Sequence, residues 1–327
     1  MKNDLLINFL LFFIFGCLLF VFFIPYLRKI KFGQNIREDG PQRHLLKKGT
    51  PTLGGCVIFV CTLIFFSFFL IEYKEMYKLN FKKCLFLWLP VLLFSLIGFI
   101  DDFLIVIKKK NEGLSPKLKF ILQLLFAAST YYLFLYLGYD NKINFFGIFV
   151  DIKFLYGIVI IFLLVGVSNA TNLTDGLDGL LAGCSIISYT SFGIIGICKQ
   201  NYEVVFFSIA MSIALLCFLI FNLPKAKLFM GNVGSILIGT GLVMESILLN
   251  MELNLLFIGF VYFLETISVI LQVWFFKKTK GKRLFLMSPL HHHLELADMS
   301  EVEIDITFYF LSLVTNMIGI YLGVNIF

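Results

Sequence analysis

Charge is what this sequence has least of. Of its 327 residues only 15% are Asp, Glu, Lys or Arg, whereas 59% are hydrophobic, 41 are Phe, and the mean hydropathy is +0.93. Soluble globular domains devote about a quarter of their residues to charge, so that class is excluded. Paired C-x-x-C spacing is also missing. The seven cysteines (Cys17, Cys56, Cys61, Cys84, Cys184, Cys198, Cys217) fall mostly within apolar runs and read as small buried hydrophobes, predicting neither a disulfide nor a metal site. The apolar runs lack the period-2 alternation of a barrel wall, which leaves helices as the way to cross a bilayer. No repeat, linker or soluble domain interrupts them, so residues 1–327 read as a single polytopic membrane domain. The first run, Leu5 to Ile24, lacks a strongly charged leader and a small-residue cleavage site, and is expected to be a retained span. The net charge of +6 is explained by basic residues beside spans and by a lipid bilayer as partner, not by nucleic acid.

Ten candidate spans are present, each near the roughly 20 residues a bilayer core requires: 4–27, 51–71, 84–100, 118–138, 154–170, 180–198, 204–221, 233–250, 255–276 and 306–326. Alternate loops hold 19 of the 27 Lys and Arg. By the positive-inside rule those loops are cytoplasmic and both termini lie outside. The same side then gathers Asp101, Asp102, Asn172, Asp175, Asp178 and all four histidines (His44, His291, His292, His293), which predicts a cytoplasmic-face cleft. A transporter would show paired broken spans and acids near mid-membrane. Neither is evident.

Carboxylates bracketed by spans are costly and mark sites. Asp101-Asp102 ends the third span; adjacent acids repel, which a cation or a raised pKa would relieve. Asn172, Asp175 and Asp178 recur at i, i+3, i+6, so a helical turn would align their oxygens, the amide toward a base or ribose and the acids toward a hard cation such as Mg²⁺. Gly54-Gly55 after Pro51 could leave backbone N–H groups for an anion, with His44 and Lys47 adding charge, or could be a close helix contact. Gly231-Asn232-Val-Gly234-Ser235 opens a span with the makings of an anion site at a helix N-terminus. In Pro289-Leu-His291-His292-His293-Leu-Glu295, adjacent imidazoles diverge too far on a helix to share a zinc ion, and phosphate recognition suits them better.

In order along nearly the whole chain, the segments GPQRHLLKKGTPTLGG, IGFIDDF, NATNLTDGLDGL, FNLPKAKLFMGNVGS, ETISVILQVWFFK and KRLFLMSPLHHHLELADMSE resemble the MraY family, the phospho-N-acetylmuramoyl-pentapeptide-transferases, among the polyprenyl-phosphate sugar-1-phosphate transferases. The resemblance implies an all-α membrane enzyme of the bacterial cytoplasmic membrane. Its substrates would be UDP-MurNAc-pentapeptide and undecaprenyl phosphate, its products lipid I and UMP, and its cofactor Mg²⁺; a homodimer stays open. Carried over by position, Asp101, Asp102, Asp175 and His291 are catalytic. Lys47, Lys117, Asn172, Asp178, Asn222, Ser235, Gln272 and His292 bind substrate, and Asp175 and Asn232 hold the metal. Two departures stand out. Asn232 occupies the position of the family's metal-binding Asp, and Ile105 that of a family Lys, so both lower the charge complement of the site.

Overall fold

The computed structural model describes residues 2–29, 49–108 and 113–326. Its helices are α1 (Lys2–Lys29), α2 (Gly54–Tyr77), α3 (Phe81–Lys108), α4 (Pro116–Tyr136), α5 (Leu155–Thr174), α6 (Leu180–Cys198), α7 (Tyr202–Asn222), α8 (Gly231–Leu248), α9 (Leu255–Ile258), α10 (Phe260–Lys278), α11 (Leu290–Leu296) and α12 (Glu301–Asn325). A hairpin of β1 (Lys142–Phe145) and β2 (Ile148–Asp151) lies between α4 and α5. All of these helices except α9 and α11 are long and apolar enough to cross a membrane, ten among the described residues.

The centre of the bundle is α8. Every residue from Val233 to Leu248 is buried, and α2, α3, α5 and α6 pack around it. Because lipid offers no hydrophobic drive for helices to associate, such a helix must be gripped by close contact. Two glycines show how. A Cβ on Gly55 of α2 would lie 2.1 Å from the backbone N of Gly234, and one on Gly98 of α3 would lie 2.5 Å from the carbonyl O of Asn232. The backbones of α2 and α3 therefore touch the first turn of α8 directly. The GTPTLGG segment extends this grip, since Gly54 N and Gly55 N donate to the carbonyls of Phe229 and Met230 at 2.9 and 2.8 Å. These N–H groups are consequently spent on protein, and the anion site considered for Gly54-Gly55 does not form; the helix-contact alternative does.

Two elements depart from the sequence expectation. The ninth span, expected as continuous over 255–276, breaks at Gly259, whose N–H closes α9 on Leu255 O at 2.7 Å and whose carbonyl starts α10 by accepting from Tyr262 N at 3.0 Å. Glycine is a poor helix former and is tolerated at such a break. The hairpin was not expected either. Strands of four residues in a Phe-rich stretch leave too short an alternation to distinguish from the edge of a span.

Consecutive long helices run in alternate directions, so the ends of α3, α5, α7 and α10 meet the starts of α2, α4, α6, α8 and α12 at one end of the bundle. Capping fixes two of those starts. Ser115 accepts from Leu118 N ahead of Pro116, and Ser300 forms a capping box with Glu303.

Candidate active site

Adjacent residues on a helix point about 100° apart, and that separates the two acids at the end of α3. Asp101 turns to α4, accepting from Leu114 N at 2.7 Å and pairing with Lys119 Nζ at 3.4 Å. Asp102 turns to α8, accepting from Asn232 Nδ2 at 2.8 Å and Val233 N at 3.1 Å. The two adjacent acids are thus each held by separate donors. The anion at the N-terminus of α8 is Asp102 itself, where the unsatisfied N–H groups and the positive end of the helix dipole favour negative charge.

Asn232 joins these parts. Its Oδ1 accepts from Asn172 Nδ2 at 2.6 Å and from Lys119 Nζ at 3.3 Å, while its own Nδ2 serves Asp102. Asn172 also donates to Ser235 Oγ at 2.8 Å, and Ser235, fully buried, donates back to Gly231 O at 3.2 Å. The Nδ2 of Asn172 is therefore spent on α8.

The turn from Asp175 to Gly179 is pinned from several sides. Asp178 accepts from Ala226 N at 2.9 Å; Asn222 accepts from Gly179 N at 2.9 Å and donates to Leu228 O at 3.0 Å; Tyr309 donates to Gly179 O at 2.7 Å. Gly176 carries no side chain because His291 Nε2 fills the space, 2.2 Å from where a Cβ would be. Since α5 ends at Thr174 and Asp175 has φ −77° and ψ 46°, the i, i+3, i+6 oxygens do not share a helical face. Asn172 faces α8, Asp178 faces the α7–α8 loop, and Asp175 is left between them, partly exposed and with no hydrogen-bond donor among the described residues. Burial raises its carboxyl well above the usual carboxylate range, and the negative charges of Asp102 and Asp178 raise it further.

The histidine helix α11 closes this side. His291 is fully buried with Nδ1 3.2 Å from Glu265 Oε2 of α10, and His292 Nδ1 lies 2.8 Å from Glu295 Oε2. Gln272 holds the preceding loop, accepting from Leu284 N and Phe285 N at 3.0 and 2.9 Å and donating to Phe285 O at 3.2 Å. His293 accepts from Leu286 N at 3.2 Å.

Residues 84–250 match the glycosyl transferase family 4. Over 330 residues, covering 99% of both chains, the sequence is 43% identical to the phospho-N-acetylmuramoyl-pentapeptide-transferase of Bacillus pumilus. The proteins of the same name from Bacillus cytotoxicus and Staphylococcus carnosus are each 43% identical, over 92% of this chain and 92% and 94% of their own. The chain belongs to this transferase family.

Within this family member, a basic residue that the sequence reading did not single out joins the site. Lys117 is exposed and makes no hydrogen bond or ion pair among the described residues, whereas Lys119 reaches Asp101 and Asn232. Two residues apart on a helix is about 200° of rotation, so the two lysines leave α4 on opposite sides. The signal that could have singled out Lys119 is its position four residues before Gln123, which is buried beside Asn169 of α5. Lys47 and His44 lie outside the described residues.

The donor set fits a hard divalent cation in one particular way. Asp175 is a partly exposed carboxylate flanked by negative charge and without a hydrogen-bond donor among the described residues, and a cation would satisfy it. Among the described residues no cluster of three His, Cys, Asp or Glu forms a closed cage. Mg²⁺ ordinarily binds through one or two carboxylates, with waters and substrate phosphate completing its shell. Asn232 Oδ1 already has two donors, so it would reach a metal only by releasing Lys119 or Asn172.

Proposed function

We propose that this protein transfers phospho-MurNAc-pentapeptide from UDP-MurNAc-pentapeptide to undecaprenyl phosphate, giving lipid I and UMP in peptidoglycan synthesis. The observation that carries the reading is the convergence of Asp101, Asp102, Lys119, Asn172, Asp175 and Asn232 at one end of an apolar bundle. There a water-soluble nucleotide and a membrane-embedded phosphate can meet.

An oxygen of the lipid phosphate attacks the sugar-bearing phosphorus, a P–O bond forms, and the bond to the departing UMP breaks. The second pKa of a phosphate monoester is about 6, so at neutral pH the acceptor is largely dianionic and requires positioning more than deprotonation. Lys119, held by Asp101, supplies fixed positive charge. Asp175 would hold Mg²⁺, which when bound neutralises phosphate charge. Asp102, only 4% exposed and committed to the first turn of α8, acts as a positioning residue. His291, fully buried against Gly176, fixes the Asp175 turn from behind. Asp178, Asn222, Ser235 and Gln272 support the loops around the cleft, and His292 stands partly exposed at its rim.

The distribution of Lys and Arg supports a reading in which this end faces the bacterial cytoplasm and both termini lie outside. Single-cysteine labelling at Lys280 from the cytoplasmic side only is the expected result. The activity is tested with purified protein, radiolabelled UDP-MurNAc-pentapeptide and undecaprenyl phosphate. Label should pass into the lipid phase with release of UMP. Transfer from UDP-GlcNAc instead would assign the chain to a sibling activity.

A further inference from the structure

The hairpin at the end of the bundle away from the candidate site leaves Phe145, Phe146, Ile148, Phe149 and Val150 exposed. Its register pairs Ile143 with Val150 and Phe145 with Ile148, and Asn144 with Phe149 and Lys142 with Asp151. Side chains alternate across a strand and cross-strand partners share a face. One face is therefore Ile143, Phe145, Ile148 and Val150, and the other is Lys142, Asn144, Phe149 and Asp151.

The strand β1 is anchored, with Ile143 and Asn144 buried, whereas all four residues of β2 are exposed, Ile148 at 69%. The turn is tight: Phe146 and Gly147 have φ 47° and 90°, and Gly147 N donates to Asn144 Oδ1 at 2.8 Å. Positive φ at both central residues matches the twist of a hairpin, but a bulky aromatic rarely occupies such a position. A site for Gly147's missing Cβ lies 2.9 Å from Ile326 O, so the tip rests on the end of α12. At its open end the hairpin leads within three residues into Phe154, Ile158 and Phe162, an exposed row at four-residue spacing down α5.

We propose that this hairpin is an interfacial anchor, its Phe145, Ile148 and Val150 face immersed in the lipid leaflet next to α5 and α12, and its charged base at Lys142 and Asp151 in water. The apolar face is continuous in the chain with the lipid-facing row of α5, and Asp140, Lys142, Asp151 and Lys153 cluster at the polar base. The strand edge sets the depth. Among the described residues β2 pairs only with β1, and unpaired backbone groups on its outer edge are costly to bury in hydrocarbon, so the strand sits at the headgroup boundary and no deeper. Aromatic residues favour that boundary.

The test replaces Ile148 by Trp in the otherwise unchanged chain, reconstituted in phosphatidylglycerol–phosphatidylcholine vesicles, and reads the emission added over wild type. Bromine placed high on the acyl chains should quench most of the added emission, bromine near the bilayer centre should quench less, and aqueous acrylamide should have little effect. Asp151→Trp on the opposite face should show the reverse order. Acrylamide-dominated quenching of Ile148→Trp would overturn the proposal in favour of a water-exposed hairpin. Blue-shifted emission insensitive to bromine, together with intermolecular cross-linking through Ile148→Cys, would overturn it in favour of contact with a second copy. If Ile148→Trp does not fold, Val150→Trp, on the same face, gives the same readings.

Discussion

Asn232 donates from Nδ2 to Asp102 Oδ1 at 2.8 Å, so the amide at this position serves as donor to a buried acid. An aspartate could not do so. Replacing it by Asp would set two carboxylates against each other, and only a cation or a proton could sit between them. Asn232→Asp is therefore expected to lower the Mg²⁺ concentration needed for half-maximal transfer and to make thermal stability rise with added Mg²⁺, whereas wild-type stability should respond less. An unchanged Mg²⁺ dependence of both would show that this position is remote from the ion.

Lys119 and Lys117 make a matched pair of probes. Both are lysines on the first turn of α4, but only Lys119 meets Asp101 and Asn232. If Lys119 stabilises developing phosphate charge, Lys119→Met should reduce turnover by roughly 10²-fold or more, as expected for losing one fixed charge in a site of this kind. Lys117→Met should stay within about 2-fold, the usual range for an exposed substitution of under 0.5 kcal/mol. Equal losses in steady-state rate would place the substrate across both residues.

The closeness of α3 to α8 at Gly98 makes a third test. A methyl at Gly98 would fall 2.5 Å from Asn232 O, which is backbone and cannot rotate away. Gly98→Ala should cost about 1–3 kcal/mol of stability by overpacking. It should also lower activity, because the displaced turn carries both Asn232 and the N–H that holds Asp102. Gly166, with open space around its Cβ position, is the control: Gly166→Ala should retain activity and gain or hold stability. Equal denaturation midpoints for the two variants would argue against a tight α3–α8 contact.

Much of this was legible before any coordinates. Span positions follow from the length of apolar runs, and the site end follows from where Asp101, Asp102 and Asp175 interrupt them, because the bilayer penalises charge strongly enough to dominate local propensity. What was not legible depends on helical phase or on backbone partners. The choice between Lys117 and Lys119 turns on where α4 begins relative to Ser115. The letters of Asp178, Asn222 and Gln272 do not show that they also hold main-chain groups of Ala226, Gly179, Leu284 and Phe285, several of them distant in sequence. Gly259 reads as one small residue within a long span, and only hydrogen bonding shows the break.

Glu252, in the 3-10 turn after α8, sets a pH dependence at the end away from the site. Burial raises its carboxyl from 4.5 to about 7, while the hydroxyl of Tyr156, which donates to Oε1, pulls it the other way. The folded protein thus holds the proton more tightly than the unfolded chain does. By linkage, this group's contribution to stability is fully present below its unfolded pKa near 4.5 and is lost as pH rises through about 7. The expected outcome is a melting temperature in detergent that falls between those two values, with the part of the fall that Glu252 contributes read from its difference against Glu252→Gln. Glu252→Gln keeps an oxygen for Tyr156 and carries no ionisable proton, so it should flatten the fall while leaving transfer at the distant site intact. A wild-type profile as flat as that of Glu252→Gln would mean that the carboxyl stays ionised in the folded protein and that water reaches it.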